Sequence, residues 1–285
     1  MKAVLGVDIG GTKIAAGLVS PSGELLSSRV IATPAADVLD HAVRLARSLL
    51  TDGVVACGVG SAGTISASGI VTHATDALPG WAGTDLLGAF SAALDLPVRV
   101  VNDVHAWAEG ESRFGAAAGA TSALVVTVGT GIGGAFVVDG RVLPGGALGH
   151  LWVGGDRRCP CGRVGHVEAY ASGPALLAEY LRRGGQGSLE GPVADEVVRE
   201  AATLLGRALG GLASTLEPAV IVIGGGVTGL GSRFLDPLSA ALRAEALPGP
   251  DRVPIRLASL GSAGGVIGAA SLWKGEVPCS YGEHS

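Results

Sequence analysis

The chain of 285 residues is short of charge, with only 16% Asp, Glu, Lys and Arg against 48% hydrophobic residues. That balance argues against disorder, since burial can offset the entropy of ordering the chain. It also lacks a basic excess. A net charge of −5 gives no footprint for nucleic acid. No secretory signal opens it, because "MKAVLGVDIGGTK" places a glycine pair where an apolar core would sit, so a cytoplasmic protein is expected. Four cysteines make a poor disulfide framework in such a setting, and the close spacing of Cys159 and Cys161 suggests metal binding instead. One uncharged run, 115–138, is long enough for a membrane span, but six glycines and four Ser/Thr residues make it read as two buried strands around "GTGIGG". No membrane partner is expected. No linker rich in proline and serine divides the chain, which points to a compact bilobal unit.

What the chain has in abundance is glycine, 48 residues without a G-x-y period, which indicates tight turns and close backbone approaches. "AVLGVDIG" reads as a strand, and two further strands follow, joined at a Pro-Ser-Gly turn. A helix over "ADVLDHAVRLARSLLTDG", the strand "VVACGVGSAG", a helix near "GTDLLGAFSAALDLP", the strand "VRVVND" and a helix from Asp103 complete the order βββαβαβα. "ALVVTVGTGIGGAFVVDGRVL" restarts the pattern. The helices "SGPALLAEYLRRGG" and "EVVREAATLLGRALGGLASTLEP", the strand "AVIVIGGG", a helix, the strand "PIRLASL" and a closing helix carry it to the end. Two copies of one α/β lobe are expected: 1–117, completed by the helix 262–274, and 118–261, followed by a tail, 275–285, in which Cys279 is a free thiol.

Three glycine clusters are candidates for phosphate contact. Asp8 and the turn Gly10, Gly11, Thr12, Lys13 offer bare backbone N–H groups, a hydroxyl and a charge; Gly129, Thr130, Gly131 and Gly133 repeat the device in the second half. Either turn alone is also what a structural glycine turn looks like. Gly224, Gly225 and Gly226 open a G-x-G-x-x-G pattern, but no carboxylate ends the following strand, so a nicotinamide-dinucleotide site is not expected and the loop is placed under an adenosine. Asn102 and Asp103 stand at a strand-to-helix junction, where Asp103 is either an N-cap or a general base facing a cleft. With a Mg²⁺ near Asp8, these are the parts that phosphoryl transfer requires.

Together "DIGGTK", "NDxxAxxxGE", "GTGIGG", the histidine ahead of "CPCG" and the late "GGG" resemble the ROK family of bacterial sugar kinases and sugar-responsive repressors. The resemblance spans nearly the whole chain. It implies an α/β actin-like ATPase fold of two RNase H-like lobes with a zinc-loop insertion in the second, ATP and Mg²⁺ as cofactors, a homodimer, and transfer of the γ-phosphoryl to the 6-hydroxyl of glucose or a related amino-hexose. Asp103 then corresponds to the catalytic base, Asn102, His150 and Glu168 to sugar contacts, and His150, Cys159, Cys161 and His166 to a structural Zn²⁺ site, with His166 where the family has a third cysteine. A metal-free polar loop is the other reading of that stretch. Ala147, Ala77 and His105 also depart from the family pattern, and Asp76, beside Ala77, offers an acid to the substrate. These departures open two alternatives to glucose, an amino-hexose and a cyclitol. A silent sugar sensor is the alternative of another class. A DNA-binding repressor is not expected, because the sequence starts directly on its first strand.

Overall fold

The computed structural model describes residues 2–74 and 78–273; Asp76, Ala77, Lys274 and the expected tail with Cys279 lie outside the described residues. The chain divides into two compact units, 1–118 with 259–285, and 119–258.

In the first unit, β1 (Ala3–Ile9), β2 (Lys13–Val19) and β3 (Leu25–Ala32) form an antiparallel meander. After α1 (Val38–Arg47), β4 (Val54–Ser61) returns parallel to β1. A small hairpin, β5 (Thr64–Ile65) and β6 (Val71–His73), precedes α2 (Leu86–Leu94), β7 (Val98–Asn102) and α3 (Asp103–Phe114). The sheet order is β3-β2-β1-β4-β7.

In the second unit, β8 (Ser122–Val128), β9 (Ile132–Val138) and β10 (Arg141–Val142) repeat the meander. Then come α4 (Glu168–Ala171), α5 (Gly173–Arg182), α6 (Gly191–Leu216), β11 (Val220–Gly224), α7 (Ser232–Glu245) and β12 (Ile255–Leu257). The order β10-β9-β8-β11-β12 reproduces that of the first unit. The chain re-enters the first unit to form α8 (Gly264–Ser271).

Each sheet is sealed by apolar side chains at its own period. In α6, Ala194, Val197, Val198, Ala201, Ala202, Leu205 and Leu209 recur at helical spacing, and all are buried with Ile221, Ile223, Phe234 and Leu238. In the first unit, Leu5, Val7, Ile9, Val59 and Phe90 centre one core. On the opposite face, beside a smaller core of Ala15, Val19, Val266 and Ala270, two strand glycines meet backbone. A Cβ at Gly6 would strike the carbonyl of Val266, and one at Gly58 that of Ala269, so glycine lets the backbone of α8 lie directly on the strands. Among the described residues no helix is long and apolar enough to cross a membrane.

Candidate active site

In the first unit the polar residues gather at the carboxyl ends of parallel strands, where open α/β sheets hold their ligands. Register fixes the arrangement: Ile9 pairs with Ser61, and Ser61 with Asn102, so β1, β4 and β7 end level. Asp8 and the β7–α3 junction therefore lie two strands apart, about 10 Å across the sheet. Between β1 and β2 the Gly10–Thr12 turn is closed by the Ile9–Ile14 pair, by Gly10 N–H donating to the Lys13 carbonyl (3.0 Å) and by the Thr33 hydroxyl donating to the Gly10 carbonyl (2.6 Å).

Asn102 takes the N-cap role that the sequence leaves open for Asp103. Its Oδ1 accepts the N–H of Val104 (2.9 Å) and of His105 (3.4 Å), while its Nδ2 donates to the carbonyl of Gly63 (2.8 Å). Asp103 is the first residue of α3, and its Oδ1 accepts the Val104 N–H (2.9 Å). Burial pushes the Asp103 carboxyl up, opposed by that N–H. Asp8 is pushed up to about 6 by burial and by the charge of Asp103, with Lys13 pulling it down. Burial leads in both shifts, and the charge of Asp103 adds to the one at Asp8.

One contributor escapes the sequence motifs. At Gly265, in the first turn of α8, a Cβ would collide with Oδ2 of Asp8. The only hint is the glycine pair in "SAGGVIG".

In the second unit the turn of Gly129, Thr130 and Gly131 is closed by the Val128–Ile132 pair, and Gly133 follows on β9 opposite Thr127. Gly224 pairs with Thr127, so the turn and the Gly224–Gly226 cluster end neighbouring parallel strands. Gly225, at φ 93°, packs on the Val128 carbonyl.

The cysteine-histidine stretch folds as a knuckle over this turn. Gly162, at φ 88°, reverses the chain between Cys159, whose N–H donates to the Arg163 carbonyl (2.7 Å), and the Trp152–His166 bridge. The ligand atoms of His150, Cys159, Cys161 and His166 lie within 4.8 Å of one another, and Cys161 Sγ stands 3.2 Å from His166 Nδ1. Two sulfurs and two imidazole nitrogens are an ordinary zinc set. The residues fit the metal. Glu168 begins α4 beside them, its Oε2 accepting the N–H of Ile132 (2.7 Å).

These motifs coincide with a known family: the ROK family model matches residues 4–276. The chain belongs to the ROK family. It is 33% identical to a glucokinase of Streptomyces coelicolor over 95% of this chain and 98% of the relative. An N-acetylmannosamine kinase of Escherichia coli O157:H7 is 31% identical, over 95% of this chain and 98% of the relative. Among solved structures, a ROK family glucokinase from Streptomyces griseus in complex with glucose and AMPPNP superposes with a TM-score of 0.82 at 34% identity, covering 95% of this chain and 98% of that one. The α/β fold of mixed sheets is that of the ROK sugar kinases.

Proposed function

We propose that this chain transfers the γ-phosphoryl of ATP to the 6-hydroxyl of a hexose, glucose or an amino-hexose. The observation that carries the reading is the raised carboxylate pair, Asp8 and Asp103, on level strand ends beside the Gly10–Lys13 turn. Asp103 accepts the proton of the substrate hydroxyl as its oxygen attacks phosphorus, and the bond from phosphorus to the departing ADP oxygen breaks. A base in that position contributes about 10² to 10⁴ in rate, and burial makes this carboxylate the stronger proton acceptor. Asn102 holds the start of α3 and so aims Asp103. Lys13 and the N–H groups of Gly11, Thr12, Thr130 and Gly131 hold phosphate oxygens, while Gly10 and Gly129 close their turns with their own N–H groups, and Gly224–Gly226 lies under the adenosine. Asp8 would hold Mg²⁺, which would supply charge neutralisation at the transferred group.

His150 and Glu168 contact the sugar, and His150, Cys159, Cys161 and His166 hold a structural Zn²⁺; the donor set supports this. The names of the relatives, glucokinase and N-acetylmannosamine kinase, support both substrate classes. The family resemblance supports a cytoplasmic homodimer, checked by mass in solution.

A coupled ATPase assay over glucose, mannose, N-acetylmannosamine, glucosamine, 3-amino-glucose and cyclitols, with products read by ³¹P NMR, tests the reading. The expected product is the 6-phosphate of a hexose or amino-hexose. ATP turnover that no sugar stimulates contradicts it, and a cyclitol phosphate as the best product moves the assignment to that class.

A further inference from the structure

The segment 146–173, which holds the cysteine-histidine cluster, touches the second glycine turn at three points. Gly134 N–H donates to the Gly146 carbonyl (2.9 Å), Gly173 N–H donates to the Gly129 carbonyl (2.8 Å), and Ile132 N–H donates to Glu168 Oε2 (2.7 Å). The first two are backbone bonds that any sequence can make. The third depends on one side chain. Glu168 reaches the middle of the turn, and the turn is shaped around it: a Cβ at Gly131 would stand 2.7 Å from Oε2, and one at Gly149 would stand 3.0 Å from the same atom. A side chain at Gly131 would therefore displace the carboxylate, while one at Gly149 would first strike the Ile132 carbonyl.

The other oxygen of that carboxylate faces the cluster. Oε1 lies 4.0 Å from Cys159 Sγ, one of the four cluster ligands, and Cys159 is buried. One carboxylate thus carries the glycine turn on one oxygen and borders the metal ligands with the other. A charge-assisted bond from a backbone N–H is worth more than a neutral one, and its strength depends on the charge near its acceptor. Filling the cluster with a dication changes that charge within about 4 Å of Glu168 Oε1.

We propose that Glu168 is a positioning residue for the second phosphate turn, and that through it the occupancy of the cysteine-histidine cluster sets how tightly that turn binds nucleotide. This rests on the reading of Gly129–Gly133 as a phosphate grip and goes beyond it. A contact to the sugar alone would leave nucleotide binding in the absence of sugar untouched. The coupling is a property of this unit, because every atom in it belongs to residues 129–173.

The test is the dissociation constant of a non-hydrolysable ATP analogue, measured by calorimetry without sugar. Wild-type, Glu168→Ala and Glu168→Gln proteins are each measured after chelation and after reloading with zinc chloride, with zinc content read by mass spectrometry. Stripping zinc from wild type is expected to weaken the analogue about tenfold, and Glu168→Ala to weaken it about tenfold with little further loss on stripping. Glu168→Gln retains an oxygen to accept from Ile132 N–H but loses the charge. Its affinity with zinc is expected within about threefold of wild type, with most of the metal sensitivity gone. Wild-type affinity in zinc-loaded Glu168→Ala, or full metal sensitivity in Glu168→Gln, overturns the coupling while leaving the phosphate grip standing. Failure of wild type to bind the analogue in either state overturns the grip and the coupling with it.

Discussion

Asp8 and Asp103 stand on level strand ends of one sheet, and burial together with the charge of Asp103 holds the carboxyl of Asp8 at about 6 instead of 3.8. A folded-state value above the unfolded one means that ionising the group works against the fold. The destabilisation begins as pH rises past the unfolded value and is complete above about 6. In metal-free protein Asp8→Asn should therefore raise stability by about 1 to 2 kcal/mol at pH 7.5 and leave it unchanged near pH 4. Urea denaturation at the two pH values checks both the sign and the window.

Gly265→Ala places a better helix former in α8, and on propensity alone it would stabilise by about 1 kcal/mol. Its Cβ, however, collides with Oδ2 of Asp8. Turnover is expected to fall about tenfold or more through the displaced carboxylate, with the circular dichroism spectrum unchanged. Steady-state kinetics at saturating ATP and sugar measures it.

Glu111, fully buried in α3, gathers two distant stretches of chain. Its carboxylate accepts from the N–H of Ala116 (2.7 Å), Ser259 (3.1 Å) and Leu260 (3.0 Å), just where the chain leaves and re-enters the first unit. Replacing it with alanine strands these donors, at a cost of about 3 kcal/mol, whereas glutamine keeps one acceptor oxygen and costs about half as much. Thermal unfolding of the two variants should rank them in that order.

Glu179 is the buried end of an ion cluster with Arg157 (3.0 Å), Arg182 (2.7 Å) and Arg183 (2.6 Å), and hydrogen bonds from Arg182 lead in holding its carboxyl down at about 2. Here the sign is reversed: the stabilisation is present above the ordinary value of 4.5 and is lost as pH falls towards 2. Glu179→Gln should cost about 2 kcal/mol at pH 7 and little near pH 2. Arg157 belongs to the knuckle, so the same variant should also speed proteolytic cleavage between Gly154 and Gly165.

Much of this architecture was legible because its signals are local. Apolar alternation broken by "DIGGTK" and "TVGTGIGG" marks a hairpin wherever it occurs, and both hairpins formed. Spacing alone marked Cys159 and Cys161; the four-ligand set came from the family resemblance, and the chain brings those four together. The β5–β6 hairpin was not, because strands of two and three residues carry no period. α6 begins at Gly191, well ahead of the apolar repeat from Glu196, because Pro192 suits a first turn whatever follows it. Which of Asn102 and Asp103 caps α3 is decided by backbone angles that residue type does not fix. The partners of Glu111 and Gly265 come from far along the sequence, and only folding brings them near.

The central claim is that Asp103 is the base of an ATP-dependent hexose kinase. Its most direct test is the turnover number of Asp103→Asn beside wild type on the best sugar, with sugar affinity measured on the same samples by calorimetry. The account predicts a loss of at least about 10² in turnover, with sugar affinity within a few-fold of wild type. Turnover equal to wild type would contradict it.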